Sequence, residues 1–103
     1  MSVSLVMCTA PQEEAAALAD QLLSEKLVAC VNMIGPVASR YRWQGALEES
    51  QEILLFMKTP TSLVDRLRDR VVELHSYDVP EILEFRADSG LAAYTDWVAK
   101  SCE

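Results

Sequence analysis

In the first quarter of the chain, apolar residues first recur at every second position and then at the spacing typical of a helix. Apolar and polar residues alternate over 2–8, and many of them favour β-structure, which predicts a first strand. Thr9 and Gln12 then have the capping-box spacing that favours a helix start, so we expect the strand to end at Cys8. An amphipathic helix is predicted from the apolar stripe of Ala15, Leu18, Ala19, Leu22 and Leu23.

Two long apolar segments joined by turn-forming residues come next. Residues 27–34 are almost continuously apolar, which predicts a strand covered on both faces. Gly35-Pro36 predicts a bulge or an edge bend, because proline donates no backbone hydrogen bond. The strand pattern resumes as far as Trp43, Gln44-Gly45 is suited to a turn, and residues 47–58 return as a second long strand.

This predicted hairpin is longer than a small sheet needs. A dozen residues in each arm would reach about 40 Å at the usual rise of a strand. The surplus carries large apolar side chains, among them Tyr41, Trp43, Leu54 and Phe56. We therefore expect part of the hairpin to contact another chain.

The remaining half of the chain repeats the helix–strand order. Thr59-Pro60 is suited to start a second helix, and residues 79–86 predict the last strand. The apolar stripes are Val64, Leu67, Val71 and Leu74 in that helix, and Leu91, Tyr94, Trp97 and Val98 in a terminal one. The order β-α-β-β-α-β with a final helix predicts an α+β fold of the ferredoxin-like, split-βαβ class.

Composition narrows the class of protein. A length of 103 residues predicts a single domain, residues 1–103. The net charge of −7 argues against a nucleic-acid partner, since phosphate backbones repel an acidic surface. No apolar run approaches the roughly 20 residues of a membrane span, and the start lacks a signal-peptide pattern. Three widely spaced cysteines do not suggest a disulfide framework, so the expected location is the reducing cytoplasm.

His75 is the only histidine and admits two interpretations. It follows Leu74 at the predicted end of the second helix, where an imidazole can bond to a free carbonyl and simply end the helix. It can also be a metal ligand. No partner lies three or four residues away, so folding would have to assemble such a site.

Cys8 is the candidate partner of His75. At the predicted end of a strand and just before a helix N-terminus, its thiolate would be stabilised by the helix dipole. The alternative is a small buried residue, which is the more frequent role of a free cysteine. Cys30 lies inside a predicted strand and Cys102 near the terminus, and neither has the close spacing of a structural zinc site.

Motifs for catalysis are lacking, and aromatic residues are prominent. We find no nucleophile elbow, phosphate loop, dinucleotide fingerprint or zinc-protease helix, so an enzyme is not expected. Tyrosine and tryptophan carry much of the energy of subunit contacts, although they also serve in ordinary cores. The residues expected at an interface or in a cleft between subunits are Tyr41, Trp43, Tyr77, Glu81, Tyr94 and Trp97.

Several motifs in the same order resemble the CutA divalent-cation tolerance family. The segments are CTAP (8–11), LVACVNMIGPVASRYRWQG (27–45), EILLFMKT (52–59), HSYDVPEI (75–82) and YTDWV (94–98). The resemblance covers nearly the whole chain and depends on their combined order and spacing. It implies a ferredoxin-like subunit in a homotrimer whose long hairpin strands pair across subunits, and a role in tolerance of copper and other divalent cations.

The resemblance also bears on the metal ligands. Cys8 matches the cysteine of the family's C-T-A-P motif, a proposed copper ligand. Some members carry two adjacent histidines where this chain has Leu74 and His75, so only the second of that pair is present. Thiolate and imidazole suit copper better than calcium or magnesium.

Two hypotheses of function lead. The first is a homotrimeric, copper-binding protein with Cys8 and His75 as ligands of the metal ion. The alternative is a trimeric small-molecule-binding or signalling module that uses clefts between subunits. We expect such a cleft to be lined by Tyr77, Glu81, Tyr94 and Trp97, with Lys58 or Arg86 for an anion. A scaffold whose trimer is itself the function ranks third.

Overall fold

The computed structural model describes residues 2–103 and contains four strands and three helices. A single 3-10 turn, Thr61–Leu63, precedes the second helix. The elements are β1 (Val3–Pro11), α1 (Ala15–Ser24), β2 (Cys30–Trp43), β3 (Ala46–Pro60), α2 (Val64–Leu74), β4 (Ile82–Arg86) and α3 (Ala92–Ser101). The predicted β-α-β-β-α-β order with a terminal helix is confirmed.

The strands form one antiparallel sheet in the order β2-β3-β1-β4. Helix α1 connects β1 to β2, two parallel strands that are separated by β3. Helix α2 connects β3 to β4 in the same way across β1. This is the split-βαβ topology that the sequence predicts.

The hydrophobic core lies between one face of the sheet and helices α1 and α2. Alternate side chains of the two central strands point into it because successive strand residues face opposite sides. The largest core side chains are Val6, Leu22, Leu55, Met57, Leu67 and Val71, each no more than 1% exposed. Each contributes roughly 1.5–3 kcal/mol by leaving water. The predicted stripes of α1 and α2 thus form the core, except for Leu23, which is 39% exposed. The predicted terminal stripe does not: Val98 is buried, but Leu91, Tyr94 and Trp97 are exposed.

The opposite face of the sheet is also apolar but is only partly covered. By the strand register it carries Leu5, Met7, Ile34, Leu54, Phe56, Leu83 and Phe85, which we call the open face. Ile34, Leu83 and Phe85 are 45%, 51% and 49% exposed. Helix α3 contacts β1 and β3 and buries Val98.

The hairpin of β2 and β3 extends well beyond the rest of the sheet. β1 ends opposite Glu52, so from there to the turn β3 pairs with β2 alone. Gln44 (φ 49°) and Gly45 (φ 81°) form a two-residue turn of the type I′ class, as predicted. The chain measures 45 Å along its longest axis. A two-stranded ribbon is at best marginally stable in water, so the projecting part needs further contacts.

The predicted bulge at Gly35-Pro36 is confirmed. The β2–β3 register shifts between Ile34 and Val37, which adds one residue to β2. Gly35 has φ +148°, and a Cβ there would lie 2.9 Å from the carbonyl oxygen of Glu52, so only glycine fits. Because one added residue reverses the facing of every later side chain, Tyr41 and Trp43 share the face of Glu52.

Two predicted boundaries are wrong for the same reason. β1 does not end at Cys8 but continues to Pro11, because residues 9–11 pair with Leu54, Ile53 and Glu52 of β3. Helix α1 accordingly begins at Ala15, and its N-cap, Glu14, makes no side-chain cap. Thr59 belongs to β3, and its buried hydroxyl donates to the Leu27 carbonyl (2.7 Å) instead of capping α2.

The expectation that residues 27–34 are covered on both faces is wrong for the single chain. β2 begins only at Cys30 and lies at the edge of the sheet. Leu27 and Val28 are buried, and Val31 packs against the core. Met33 and Ile34 are 50% and 45% exposed, because a strand at the edge has a neighbour on one side only.

Candidate functional site

His75 ends helix α2, as one of its two interpretations predicts. Its backbone N–H donates to the Val71 carbonyl (2.8 Å), and its side chain turns toward β1. Ring atom Nε2 lies 2.7 Å from the carbonyl oxygen of Thr9, which can only accept a hydrogen bond. Ring atom Nδ1 accepts from the Tyr77 N–H at 3.1 Å. The histidine is therefore a neutral imidazole with its proton on Nε2, and both nitrogens have protein partners.

Cys8 lies inside β1 and not at its end, and α1 begins only at Ala15. It is fully buried, opposite Leu55 on one side and Ile82 on the other. Burial, and secondarily the negative charges of Glu81 and Glu52, raise the pKa of the Cys8 thiol to about 12. The expected stabilisation of a thiolate is thus wrong, because the continued strand moves the start of α1 away and leaves desolvation dominant.

Cys8 and His75 nevertheless both contact the same backbone oxygen. The Cys8 thiol approaches the same Thr9 carbonyl oxygen, at 3.5 Å, that accepts the hydrogen bond of His75. Folding therefore brings the two predicted ligands together. Among residues 2–103, however, no group of three or more histidine, cysteine, aspartate or glutamate side chains could hold a metal ion.

A cleft of about 570 Å³ opens beside this pair. It lies between the hairpin, the end of β1 and the loop after α2. Its lining residues are Thr9, Ser39, Arg40, Tyr41, Trp43, Glu52, Tyr77, Asp78, Val79 and Glu81. Four of the six predicted cleft or interface residues line it, namely Tyr41, Trp43, Tyr77 and Glu81.

The other two predicted residues belong to helix α3. The rings of Tyr94 and Trp97 stack with centroids 5.7 Å apart, and the side chains are 39% and 47% exposed. Neither residue lines the cleft, and the two basic residues expected to bind an anion there, Lys58 and Arg86, do not line it either. Burial, and then the nearby Cys30, raise the pKa of Tyr94.

Glu52 is the polar centre of the cleft. It is only 5% exposed, and its Oε2 accepts a hydrogen bond from the Tyr77 hydroxyl at 2.8 Å. Across residues 2–103, no lysine or arginine forms an ion pair with it. Burial, followed by Glu52, raises the pKa of Tyr77, which keeps the phenol protonated as a donor.

The Ser50 hydroxyl adds a second unsatisfied group near this pair. Its oxygen is buried and has no hydrogen-bond partner. It lies near enough to the Tyr77 hydroxyl to oppose, as the smallest contribution, the rise in the pKa of Tyr77, although the two groups do not reach standard hydrogen-bond geometry. An unpaired buried hydroxyl costs about 1–3 kcal/mol, so the neighbourhood of Glu52 holds a hydrogen-bonding group that is available to a ligand.

Thr9 and Glu52 were not predicted as site residues, although the pattern of β3 contains a signal for Glu52. The alternation of β3 assigns residues 48, 50 and 52 to one face, and the bulge brings Tyr41 and Trp43 to that face. Thr9 could not be found in this way, because its strand pairing depends on residues more than 40 positions away.

Comparison with known proteins agrees with the motifs. The family profile described as CutA1 divalent ion tolerance protein matches residues 4–101. The chain belongs to the CutA1 family. It is 43% identical over 98 residues to the divalent-cation tolerance protein CutA of Thermus thermophilus, covering 94% of this chain and 95% of that one. It is 38% identical to human Protein CutA over 99% of this chain but spans only 58% of the human protein.

Solved CutA structures share the fold. CutA from Xylella fastidiosa superimposes with a TM-score of 0.95 at 34% identity over the full length of both chains. A Nostoc protein described as PII-like protein CutA gives a TM-score of 0.90 at 35% identity, covering 100% of this chain and 98% of that one. A relative from Archaeoglobus fulgidus is described as periplasmic, and one from Arabidopsis thaliana as chloroplastic. Every helix within residues 2–103 is too short or too polar to cross a bilayer.

We predict that the Cys8 thiol resists alkylation in the folded protein. Thiolate is the reactive form, and a pKa of about 12 leaves the buried group protonated in mildly alkaline buffer. Iodoacetamide labelling followed by peptide mass spectrometry should modify Cys8 in denaturant but not in native buffer. The partly exposed Cys102 is the internal control, and equal native labelling of both cysteines would contradict the prediction.

Proposed function

We propose that this CutA-family protein acts as a homotrimer that binds a small ligand in the cleft around Glu52, and that this binding serves divalent-cation tolerance. The observation that carries the proposal is a concave site with aromatic walls and a buried carboxylate to which, among residues 2–103, the Tyr77 hydroxyl alone donates. A volume of about 570 Å³ suits a metabolite-sized ligand. The role is one of binding rather than catalysis, which the buried, protonated Cys8 supports.

Two features support the homotrimer. The open face presents half-exposed apolar side chains, and such a contiguous patch is typical of a subunit interface. The ribbon beyond Glu52 has no neighbouring strand within its own chain. Pairing of these ribbons across subunits would supply the missing contacts and would close the cleft from outside.

The cleft and the Cys8–His75 pair both involve Thr9, which supports a link between ligand binding and metal binding. Thr9 lines the cleft, while its carbonyl oxygen holds His75 and contacts Cys8. Tyr77 donates its hydroxyl to Glu52 and its backbone N–H to His75. A ligand that contacts Thr9 and moves Tyr77 would therefore reach both hydrogen-bond partners of the imidazole.

Copper bound by Cys8 and His75 is the second candidate. Its support is the meeting of thiol and imidazole at the Thr9 carbonyl, since these two ligand types suit copper. Metal would have to displace the thiol proton and the histidine's hydrogen bond. A hollow of about 330 Å³ reaches His75 from the side of α1 and offers a route. All three cysteines are free, which fits the proposed reducing, cytoplasmic location.

Phe85→Glu should dissociate the proposed trimer. Phe85 is on the open face and 49% exposed, so a charge there would be buried without a partner on assembly. Sedimentation velocity should give monomers at concentrations where the wild type is trimeric. Val72→Glu is the matched control, because Val72 is 50% exposed on α2, away from the sheet. A trimeric Phe85→Glu protein would contradict the proposed interface.

Ser39→Trp should abolish ligand binding by filling the cleft. A thermal-shift screen of nucleotides, amino acids and other metabolites should yield a compound that raises the Tm of the wild type but not of this variant. Ala38→Trp is the control, because residue 38 is exposed on the other side of β2 and does not line the cleft. A compound that stabilises both variants equally, or a screen without any stabilising compound, would count against the cleft.

Cys8→Ala and His75→Ala should each abolish a tight Cu(I) site if the second candidate is right. The measurement is an anaerobic competition titration against a chromogenic chelator, with the trimer mass checked in parallel. Cys102→Ala controls for an incidental thiol and should bind as the wild type does. A wild type that never competes with the chelator would exclude this candidate and leave the cleft proposal standing.

A further inference from the structure

The charges around the cleft are unbalanced. Glu52, Asp78 and Glu81 line it, and the one basic residue in the lining is Arg40. The Arg40 guanidinium is directed to Glu49, at 3.6 Å, and its side chain is 80% exposed. The cleft therefore has a negative potential that attracts cations and repels anions.

Glu52 needs more hydrogen-bond donors than the chain supplies. A carboxylate offers about four lone-pair sites, and a nearly buried one requires compensation for its lost hydration. Within residues 2–103, the donor to this carboxylate is the neutral Tyr77 phenol, and the adjoining Ser50 hydroxyl has no hydrogen-bond partner. A ligand with several N–H groups and a positive charge would satisfy both residues.

The walls of the cleft favour the same ligand. Tyr41, Trp43 and Tyr77 all line it, and the faces of such rings attract cations. A bare metal ion is a poorer match, because residues 2–103 contain no group of three or more acidic, cysteine or histidine ligands. An organic cation requires only the carboxylate and the rings.

We propose that the cleft binds a small organic cation, with a primary ammonium or guanidinium group donating to the Glu52 carboxylate and its carbon chain packed against Tyr41 and Trp43. This inference rests on the proposed function and specifies the ligand class of the same site. The Tyr77 hydroxyl stays on Oε2, so the ligand occupies the remaining acceptor positions of the carboxylate. Glu81, at the exposed rim, attracts the cation during entry.

The test uses three molecules of the same size and different charge. Butylamine, butanol and butyrate are titrated into the full-length wild-type protein, with binding followed by calorimetry and by shifts of tryptophan NMR signals. Butylamine should bind, and the other two should not. Butyrate or butanol binding at the cleft, with none for butylamine, would overturn the cation while the proposed ligand-binding function remains.

Variants then identify the anchoring group. Glu52→Gln should lower butylamine affinity about tenfold or more, the effect of losing a charge-assisted hydrogen bond. Glu48→Gln is the matched control, since Glu48 is exposed on the same face of β3 but does not line the cleft, and it should change affinity by less than about twofold. If Glu52→Gln fails to fold, the exposed Glu81→Gln should still weaken binding severalfold. Unchanged affinity in both cleft variants would overturn the proposal.

If butylamine does not bind, the metabolite screen decides whether only the ligand class or the whole ligand-binding function is rejected. A screen that finds a neutral or anionic ligand sensitive to Ser39→Trp would reject the organic cation and retain the cleft. A screen that also finds nothing would reject both the ligand class and the function on which it rests.

Discussion

One inserted residue in β2 determines which side chains surround the cleft. Without the extra residue at Gly35-Pro36, the alternation of the strand would turn Arg40 and Arg42 toward Glu52, and Tyr41 and Trp43 away from it. The bulge depends in turn on Gly35, because the Glu52 carbonyl leaves no room for a Cβ. Glu52 thus contributes its backbone to the geometry of the hairpin and its carboxylate to the chemistry of the site.

Desolvation shapes the candidate site more than the helix dipole does. Helices affect a group only near their ends, and β1 separates Cys8 from the start of α1 by several residues. What remains is a thiol enclosed by apolar side chains and raised further in pKa by two carboxylates. On the opposite face of the sheet, the burial of Glu52 also strengthens its hydrogen bond with Tyr77. Desolvation therefore suppresses a nucleophile on one face and strengthens a polar contact on the other.

Local patterns predicted the parts of this protein that depend on neighbours in sequence. The stripes of α1 and α2, the Gln44-Gly45 turn and the bulge depend on residues a few positions apart, and the structure confirms them. The extension of β1 to Pro11 could not be predicted in this way, because it arises from pairing with β3. The environments of Cys8 and Glu52 depend on the same long-range pairing. The aromatic lining was predicted by residue type, whereas its acidic centre was not.

Thr9 takes part in two features, because it lines the cleft and its carbonyl oxygen contacts His75 and Cys8. This determines what a substitution at position 9 can change. The atom that holds His75 and Cys8 is a backbone oxygen, which no substitution at this position removes. The side chain at position 9, by contrast, borders the cleft and can be exchanged. A substitution at position 9 would therefore change the wall of the cleft and leave in place the oxygen that contacts His75 and Cys8, so the two features can vary independently.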